Sequence, residues 1–164
     1  MPLATQSLMF IPDYRFFSVR DYSAVDQPGA SEALSAAHRD IIAASDYEIF
    51  VVCAQDQLKI DVSVTVDDDL TSLDRHGDGT VRFTIPFPTA QLHAGDAFGN
   101  AITMDLPRAG AYSVTIEHTG RERAREILSE LLPHTADLHG DELRDVLNQW
   151  AGTERYQVTL FSLE

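Results

Sequence analysis

The sequence predicts an α+β fold dominated by β-structure: an antiparallel β-sandwich with one helix in its N-terminal half and a helical hairpin before the last strand. Apolar and polar residues alternate in several short segments that are separated by proline and glycine turns, which is typical of half-buried strands. Apolar residues recur at helical spacing in only a few other segments. Strands therefore outnumber helices in the predicted fold.

The strand prediction depends on segments in which apolar side chains recur at every second position. The clearest examples are residues 58–66, 81–87 and 112–116. Residues 49–54 form a shorter run that is apolar throughout, as expected of a strand buried on both faces. Together these segments supply enough apolar faces for two packed sheets.

The connections between these strands are predicted from turn residues. Pro107 and Gly110 mark a corner between two antiparallel strands. The strands between Val81 and His118 are predicted to form a meander, and residues 67–80 are predicted to be a long hairpin connection.

The helices are predicted from apolar residues spaced three and four positions apart, with capping or breaking residues at their ends. They cover residues 31–44, 121–132 and 141–151. The last two form a hairpin at 121–151 whose apolar faces are expected to pack against a sheet. No linker or repeat divides the chain, so residues 1–164 are predicted to form one domain with this hairpin as an insertion.

Composition limits the classes of partner. The chain has 26 acidic and 12 basic residues and a formal net charge of −14, with Lys59 as its single lysine. A negative surface potential disfavours nucleic acid and anionic membranes as direct partners and favours a basic protein or a cation. The same charge is also explained by solubility alone, and that alternative stays open.

Cys53 lies within an apolar run, so we expect a buried thiol rather than a nucleophile. With one cysteine no intramolecular disulfide can form, which suits a reducing compartment. The first ten residues lack the pattern of a signal peptide, and no apolar run is long enough to span a membrane. The expected location is the cytoplasm.

The acidic segment before Val81 is the first candidate for a binding site. Closely spaced carboxylates can attract a basic protein, coordinate Ca²⁺, or serve only as a solvated turn. Its spacing does not match the EF-hand pattern. We predict a protein-binding surface, whose first-choice contacts are Asp67, Asp68, Asp69, Asp74 and Asp78.

A second candidate is the cluster His134-x-x-Asp137-x-His139, whose side chains are of the types that hold a transition metal. The cluster lies in a polar connection next to Pro133, and an exposed polar loop is the favoured explanation for it. The sequence contains no nucleophile elbow and no glycine-rich phosphate loop. We therefore expect no catalytic residue, no cofactor and no bound metal.

Four segments resemble the competence protein J family, whose members are small acidic intracellular inhibitors of a DNA-entry nuclease. They are residues 12–19, 31–34, 81–87 and 104–112. The resemblance implies a β-sandwich that binds a protein, such as a nuclease or another toxin-like enzyme, and that places acidic side chains in its phosphate-binding site. The helical hairpin is a departure from that family.

The resulting hypothesis is a cytoplasmic, non-enzymatic inhibitor or immunity-type protein that binds a basic partner through acidic loops. The alternative is a β-sandwich that binds a small ligand or carbohydrate, with Tyr14, Tyr22 or Trp150 lining a groove. A third class is a metal-dependent enzyme that uses the His134 cluster. The oligomeric state is not indicated by the sequence.

Overall fold

The computed structural model describes residues 2–68 and 79–164, and its strands form two five-stranded sheets. In spatial order the first sheet contains β1 (Pro2–Phe10), β5 (Ile60–Asp67), β10 (Arg155–Ser162), β9 (Gly110–Thr119) and β6 (Gly79–Phe87). The second sheet contains β3 (Ile42–Ala44), β4 (Glu48–Val52), β2 (Phe16–Asp21), β7 (Gln91–Gly95) and β8 (Ala101–Asp105). The predicted α+β fold dominated by β-structure is confirmed.

One hydrophobic core fills the space between the sheets, because the alternating apolar residues of both sheets point inward. In β5 the residues Val62, Val64 and Val66 are buried, and the polar residues between them lie on the outer face. The ring of Phe17 in β2 meets that of Tyr156 in β10 edge to face, with centroids 5.2 Å apart. Burying each such side chain contributes about 1.5–3 kcal/mol.

The first sheet is mixed rather than purely antiparallel. β10 pairs with β9 in antiparallel fashion but runs parallel to β5. Alternation of apolar residues shows which face of a strand is buried and carries no information about the direction of its neighbours. The sequence could therefore predict the strand but not this parallel pair.

The predicted meander between Val81 and His118 is wrong. β6 pairs directly with β9, while β7 and β8 form a hairpin in the second sheet. The predicted hairpin over residues 67–80 is also wrong, because β10 and β9 lie between β5 and β6 in the sheet. Residues 69–78 themselves lie outside the described residues.

Helix α1 (Ala30–Asp40) is shorter than the predicted helix. The chain leaves helical geometry at Ile41, which has a φ of 74°, and residues 42–44 then pair with β4. Of these residues only Ile42 is β-branched and favours a strand, so the pairing with β4 rather than strand propensity decides the conformation. The buried face of α1, with Ala33 and Ala37, packs against Phe50 on the outer side of the second sheet.

The predicted helical hairpin is present as α2 (Arg121–Thr135) and α3 (Gly140–Asn148). Its packing differs from the expectation, because the apolar face of α2 packs on Leu58, in the connection between β4 and β5, rather than on a sheet. No helix in residues 2–68 and 79–164 is long and apolar enough to cross a membrane. The single domain and the status of the hairpin as an insertion stay predictions.

The turns of both sheets meet at two ends. We call one the aromatic end; it contains residues 11–15, 53–59, 96–100, 119–121 and 152–154. Hydrogen bonds such as Cys53 N–H to Arg15 O (2.7 Å) join its segments. We call the other the corner end; it contains residues 22–23, 45–47, 67–68, 88–90, 106–109 and 163–164.

Candidate functional site

Two of the five predicted acidic contacts fall within the described residues. Asp67 closes β5 and is only 6% exposed, whereas Asp68 follows it and is exposed. Asp69, Asp74 and Asp78 lie outside the described residues. Of the two described carboxylates, Asp68 is therefore the one whose side chain is accessible to a partner.

The acidic segment begins and ends at opposite ends of the first sheet. Asp67 is in register with Phe161 of β10, which pairs with Ser113 of β9. Gly79, which follows the segment, is in register with His118 of β9. His118 follows Ser113 by five positions (118 − 113 = 5), about 17 Å along a strand. The described residues on either side of the segment, Asp68 and Gly79, therefore lie at opposite ends of the first sheet.

Asp67 and Asp68 line a shallow cleft of about 190 Å³ at the corner end, together with Arg108 and Glu164. Beside this cleft the hydroxyl of Tyr112 donates a hydrogen bond to the carbonyl oxygen of Arg108 (2.8 Å). A tyrosine that bonds back to the backbone of its own corner is a known stabilising device of β-sandwiches. The Pro107–Gly110 corner thus has a structural role.

The candidate metal cluster is not assembled. His134 lies in the last turn of α2, while Asp137 and His139 follow in the connection to α3, and all three are exposed. Within the part of the chain that the structure describes, no three His, Cys, Asp or Glu side chains are grouped to hold a metal ion.

The aromatic residues that the alternative hypothesis named as candidates for lining a groove lie apart. Tyr14 precedes β2 and Tyr22 follows it, so the two rings lie at opposite ends of the sandwich. Tyr22 contacts the ring of His93 (centroids 6.3 Å apart). Trp150 follows α3 and is 36% exposed. No single ligand of ordinary size can therefore contact both Tyr14 and Tyr22.

The aromatic end carries an exposed pair of rings instead. Tyr14 is 75% exposed and Phe98, in the β7–β8 turn, is 61% exposed, yet their ring centroids are only 5.6 Å apart. Ile11, three residues before Tyr14, is also exposed. Isolated exposed apolar residues are common, but contacting ones form a patch of the kind that marks interaction sites.

The backbone that presents Tyr14 is unusual. Tyr14 and Arg15 are consecutive residues in the left-handed region, with φ values of 57° and 63°. This region is unfavourable for bulky side chains and is occupied only where neighbouring contacts enforce it. Here the Arg15 guanidinium donates to the carbonyl oxygens of Cys53 (3.2 Å) and Ala54 (3.3 Å). These bonds fix the turn that holds the Tyr14 ring in solvent.

Phe98 is held in a similarly defined turn. The buried carboxylate of Asp96 accepts hydrogen bonds from the backbone N–H groups of Phe98 (2.9 Å) and Asn100 (3.1 Å). Its second oxygen accepts from the side-chain amide of Asn100 (2.9 Å). Because several bonds close the turn, the Phe98 ring is presented by an ordered backbone.

A buried charged network lies beneath this surface. The guanidinium of Arg121 donates to the carbonyl oxygen of Val52 and to the hydroxyl of Tyr156 (both 2.6 Å), and lies 3.7 Å from a carboxylate oxygen of Glu154. Glu154 accepts from Tyr156, from the N–H of Ala54 (2.7 Å) and, through its other oxygen, from the side-chain amide of Gln55. The network ties α2 and β10 to the end of β4.

Burial dominates the titration of the groups in this network. It raises the pKa of Tyr156 far above its ordinary value, and the neighbouring Cys53 and Glu154 act in the same direction. Burial and the charge of Glu154 raise the pKa of the Cys53 thiol as well. Cys53 is therefore a protonated core residue, in agreement with its predicted burial.

Gly120 makes the close approach of α2 to β10 possible. It has a φ of 77°, and a side chain at this position would collide with the carbonyl oxygen of Thr153. Glycine adopts such a conformation without steric cost. The next residue, Arg121, is thereby placed within reach of Glu154.

Sequence reasoning did not identify Phe98, Asp96 or the Arg121–Glu154 pair. The only local signal was the Gly95–Asn100 turn, which predicts a connection and says nothing of an exposed ring packed on Tyr14. Arg121 begins the predicted helix 121–132, but the sequence could not indicate its buried partner, because Glu154 lies far away in the sequence.

The fold and this end of the molecule define a β-sandwich with a closed buried network and an exposed aromatic pair. No family model and no curated protein matches the sequence. Among solved structures, ComJ from Bacillus subtilis, the inhibitor of the DNA degrading activity of NucA, is similar with a TM-score of 0.61 and 15% identity, over 99% of this chain and 98% of that chain. A structure described as crocagin biosynthetic gene J is similar with a TM-score of 0.60 and 12% identity, over 99% of this chain and 100% of the other. The chain has the fold of these proteins, which confirms at the level of fold the resemblance inferred from the sequence.

Proposed function

We propose that this protein is a non-enzymatic inhibitor that binds a DNA-degrading nuclease and blocks its access to DNA. The observation that carries the proposal is the similarity to the ComJ inhibitor over nearly the full length of both chains. A fold can host unrelated functions, so the proposal also needs support from the surface chemistry of this chain.

Charge provides that support. A nuclease must attract the phosphates of DNA, and it therefore presents basic groups around its active site. The net charge of −14 on this chain complements such a surface and would accelerate association by electrostatic steering. The same charge would keep the inhibitor itself away from DNA.

Within this proposal the acidic residues Asp67, Asp68, Asp69, Asp74 and Asp78 attract the basic partner. The described ends of their segment, Asp68 and Gly79, belong to opposite ends of the first sheet. We therefore assign these residues to long-range attraction and not to one compact contact. Such a role is sensitive to salt, because charges in solvent are screened beyond about 8 Å at physiological ionic strength.

The test measures degradation of duplex DNA in extracts of the cells that make this protein. Deleting its gene is expected to raise the rate of degradation, and adding the purified chain should lower it again in a saturable manner. The inhibited nuclease should then co-elute with the chain in size-exclusion chromatography. Equal rates in both extracts, unchanged by added protein, would falsify the proposal.

The role of the acidic segment is tested separately with two variants that change the net charge equally. Asp68→Lys alters the segment, whereas Asp40→Lys alters an exposed residue at the end of α1. Asp68→Lys should slow association with the nuclease more than Asp40→Lys and should weaken its dependence on salt. Equal effects of both variants would show that only the total charge matters.

A further inference from the structure

We infer that Tyr14 and Phe98 form the anchor of the inhibitory surface and take up an arginine or lysine side chain of the basic partner. The inference deepens the proposed function and rests on it for the identity of the partner. It adds a defined contact that neither net charge nor fold similarity supplies.

The backbone conformation that exposes Tyr14 is energetically unfavourable. The contact between the exposed rings of Tyr14 and Phe98 contributes less to stability than a contact in the core, because both rings stay largely in solvent. Tyr14 is nevertheless held in a left-handed conformation that disfavours its side chain. A glycine or asparagine would fit that turn with less strain. Strain that stability does not require is typical of functional positions.

The turns that carry the two rings are held in place by hydrogen bonds. The Tyr14 turn is fixed by the bonds of Arg15 to the carbonyl oxygens of Cys53 and Ala54, and the Phe98 turn by the buried Asp96 carboxylate. Aromatic side chains in a prearranged backbone lose little conformational freedom on binding. Aromatic residues of this kind dominate the affinity of protein interfaces.

The chemistry around Tyr14 and Phe98 favours a cation as the group that binds there. The faces of aromatic rings attract guanidinium and ammonium groups. Asp13, which directly precedes Tyr14, and Asp56, in the β4–β5 connection, are exposed carboxylates of the same aromatic end. The guanidinium of Arg15 faces backbone carbonyl oxygens and is already engaged.

Other occupants fit the charge less well. A second copy of this chain would bring together 28 net negative charges (14 + 14), which disfavours pairing of two acidic surfaces. A nucleic acid would be repelled for the same reason. A basic protein is the macromolecule whose charge complements this surface.

The test uses an oligoarginine peptide as the probe and maps its binding by nuclear magnetic resonance. The signals of Tyr14 and Phe98 should shift most, and Phe98→Ala should weaken binding by about tenfold or more. Tyr22→Ala is the matched control, because it removes an exposed ring at the corner end without changing the charge. It should change the dissociation constant by less than about twofold.

Tyr14→Asn provides a second variant that is not expected to disturb folding, because asparagine tolerates the left-handed region. Its thermal midpoint should be no lower than that of the wild type, while its affinity for the peptide should fall about tenfold. Weaker binding together with a clearly lower midpoint would point to a structural role and overturn the inference. So would peptide shifts that centre on Asp68, or equal losses in Phe98→Ala and Tyr22→Ala.

The same variants in the DNA-degradation assay separate the two proposals. If the wild type inhibits and Tyr14→Asn inhibits equally well, the anchor is wrong and the proposed function stands. If the wild type does not inhibit but still binds the peptide at Tyr14 and Phe98, the proposed function fails and the cation-binding surface stands. A dimer of the wild type that Phe98→Ala converts to a monomer would assign the surface to a second copy and overturn the inference.

Discussion

Both ends of the sandwich contain buried carboxylates, and Asp21 at one end and Glu154 at the other are satisfied in different ways. At the corner end Asp21 accepts hydrogen bonds from the neutral donors of Ser23 and Thr89. At the aromatic end Glu154 faces the guanidinium of Arg121 as well as neutral donors. A buried ion pair contributes little net stability compared with apolar residues, but it is costly to break. The buried groups of the aromatic end are therefore harder to replace than those of the corner end. The surface above them carries the exposed aromatic pair.

This difference bears on function. The corner end is built from devices that close any sandwich, namely a tyrosine that bonds its own corner and an aspartate that bonds its own turn. The aromatic end combines two consecutive left-handed residues, Tyr14 and Arg15, with a pair of exposed rings in contact and a buried ion pair. Departures from locally favoured structure tend to concentrate at functional sites. The comparison thus directs the search for a partner to the aromatic end.

The largest effect is expected when the charged network at the aromatic end is broken. Glu154→Ala leaves the Arg121 guanidinium buried without its carboxylate and should lower the free energy of unfolding by about 3–5 kcal/mol. Urea unfolding followed by circular dichroism measures the change. Glu126→Ala, which breaks an exposed pair with Arg123, is the control and should cost no more than about 0.5 kcal/mol.

A double variant sharpens this prediction. Arg121→Met combined with Glu154→Met removes both charges and should be more stable than either single variant. Additive losses would mean that the two side chains act independently, and the ion pair would then not explain the structure of this end.

The next largest effect is expected at Asp21. Burial alone would raise the pKa of this carboxyl, but the hydrogen bonds from Ser23 and Thr89 outweigh it and lower the pKa below 3.8. Asp21→Asn should therefore cost about 1.5–3 kcal/mol at neutral pH, because it replaces an acceptor oxygen by an amide donor. Urea unfolding at several pH values measures the loss.

The loss of stability in Asp21→Asn should depend on pH in a definite direction. A carboxyl whose folded pKa is lowered stabilises the protein above its unfolded pKa, and this contribution disappears as the pH falls through the folded value. The difference between the wild type and Asp21→Asn should shrink below pH 3.8. Asp105→Asn, at an exposed carboxylate, is the control. A difference that stays constant down to acid pH would argue that Asp21 acts through shape alone.

A smaller loss is expected for Tyr112→Phe, which removes the hydroxyl that bonds Arg108 and keeps the ring packed on Phe87. The expected loss is about 1 kcal/mol, the net contribution of one hydrogen bond. Thermal unfolding measures it, with Tyr22→Phe as the exposed control. A loss as large as that of Glu154→Ala would remove the distinction between the two ends.

The two ends also differ in how much the sequence revealed. Pro107, Gly110 and Tyr112 lie within six residues of one another, so local turn chemistry and alternation predicted that corner. The network joins Val52, Arg121 and Glu154, which only the three-dimensional fold brings together. Periodicity indicates which face of a segment is apolar, and it cannot indicate which segments meet.

The same reason explains what was missed in the fold and the site. Alternation predicted the strands of residues 58–66 and 81–87, but their neighbours depend on long-range pairing, and β5 and β6 are not adjacent. Tyr14 was recognised as an exposed aromatic residue, whereas Phe98 was not, because its exposure results from the closed β7–β8 turn. A charge count indicated a basic partner without indicating which surface it would contact.

The smallest effect concerns His93, which lies in the middle of β7 and is in register with Arg20 of β2. Burial and the positive charge of Arg20 lower its pKa below 6.5, although Asp96 acts in the opposite direction. The folded protein therefore binds a proton less readily than the unfolded chain, and stability should fall slightly as the pH drops through 6.5. Nuclear magnetic resonance titration of the His93 ring measures this pKa directly. Arg20→Gln should move it upward, toward 6.5, because it removes one of the two causes. An unchanged His93 pKa in that variant would show that burial lowers this pKa without a contribution from the charge of Arg20.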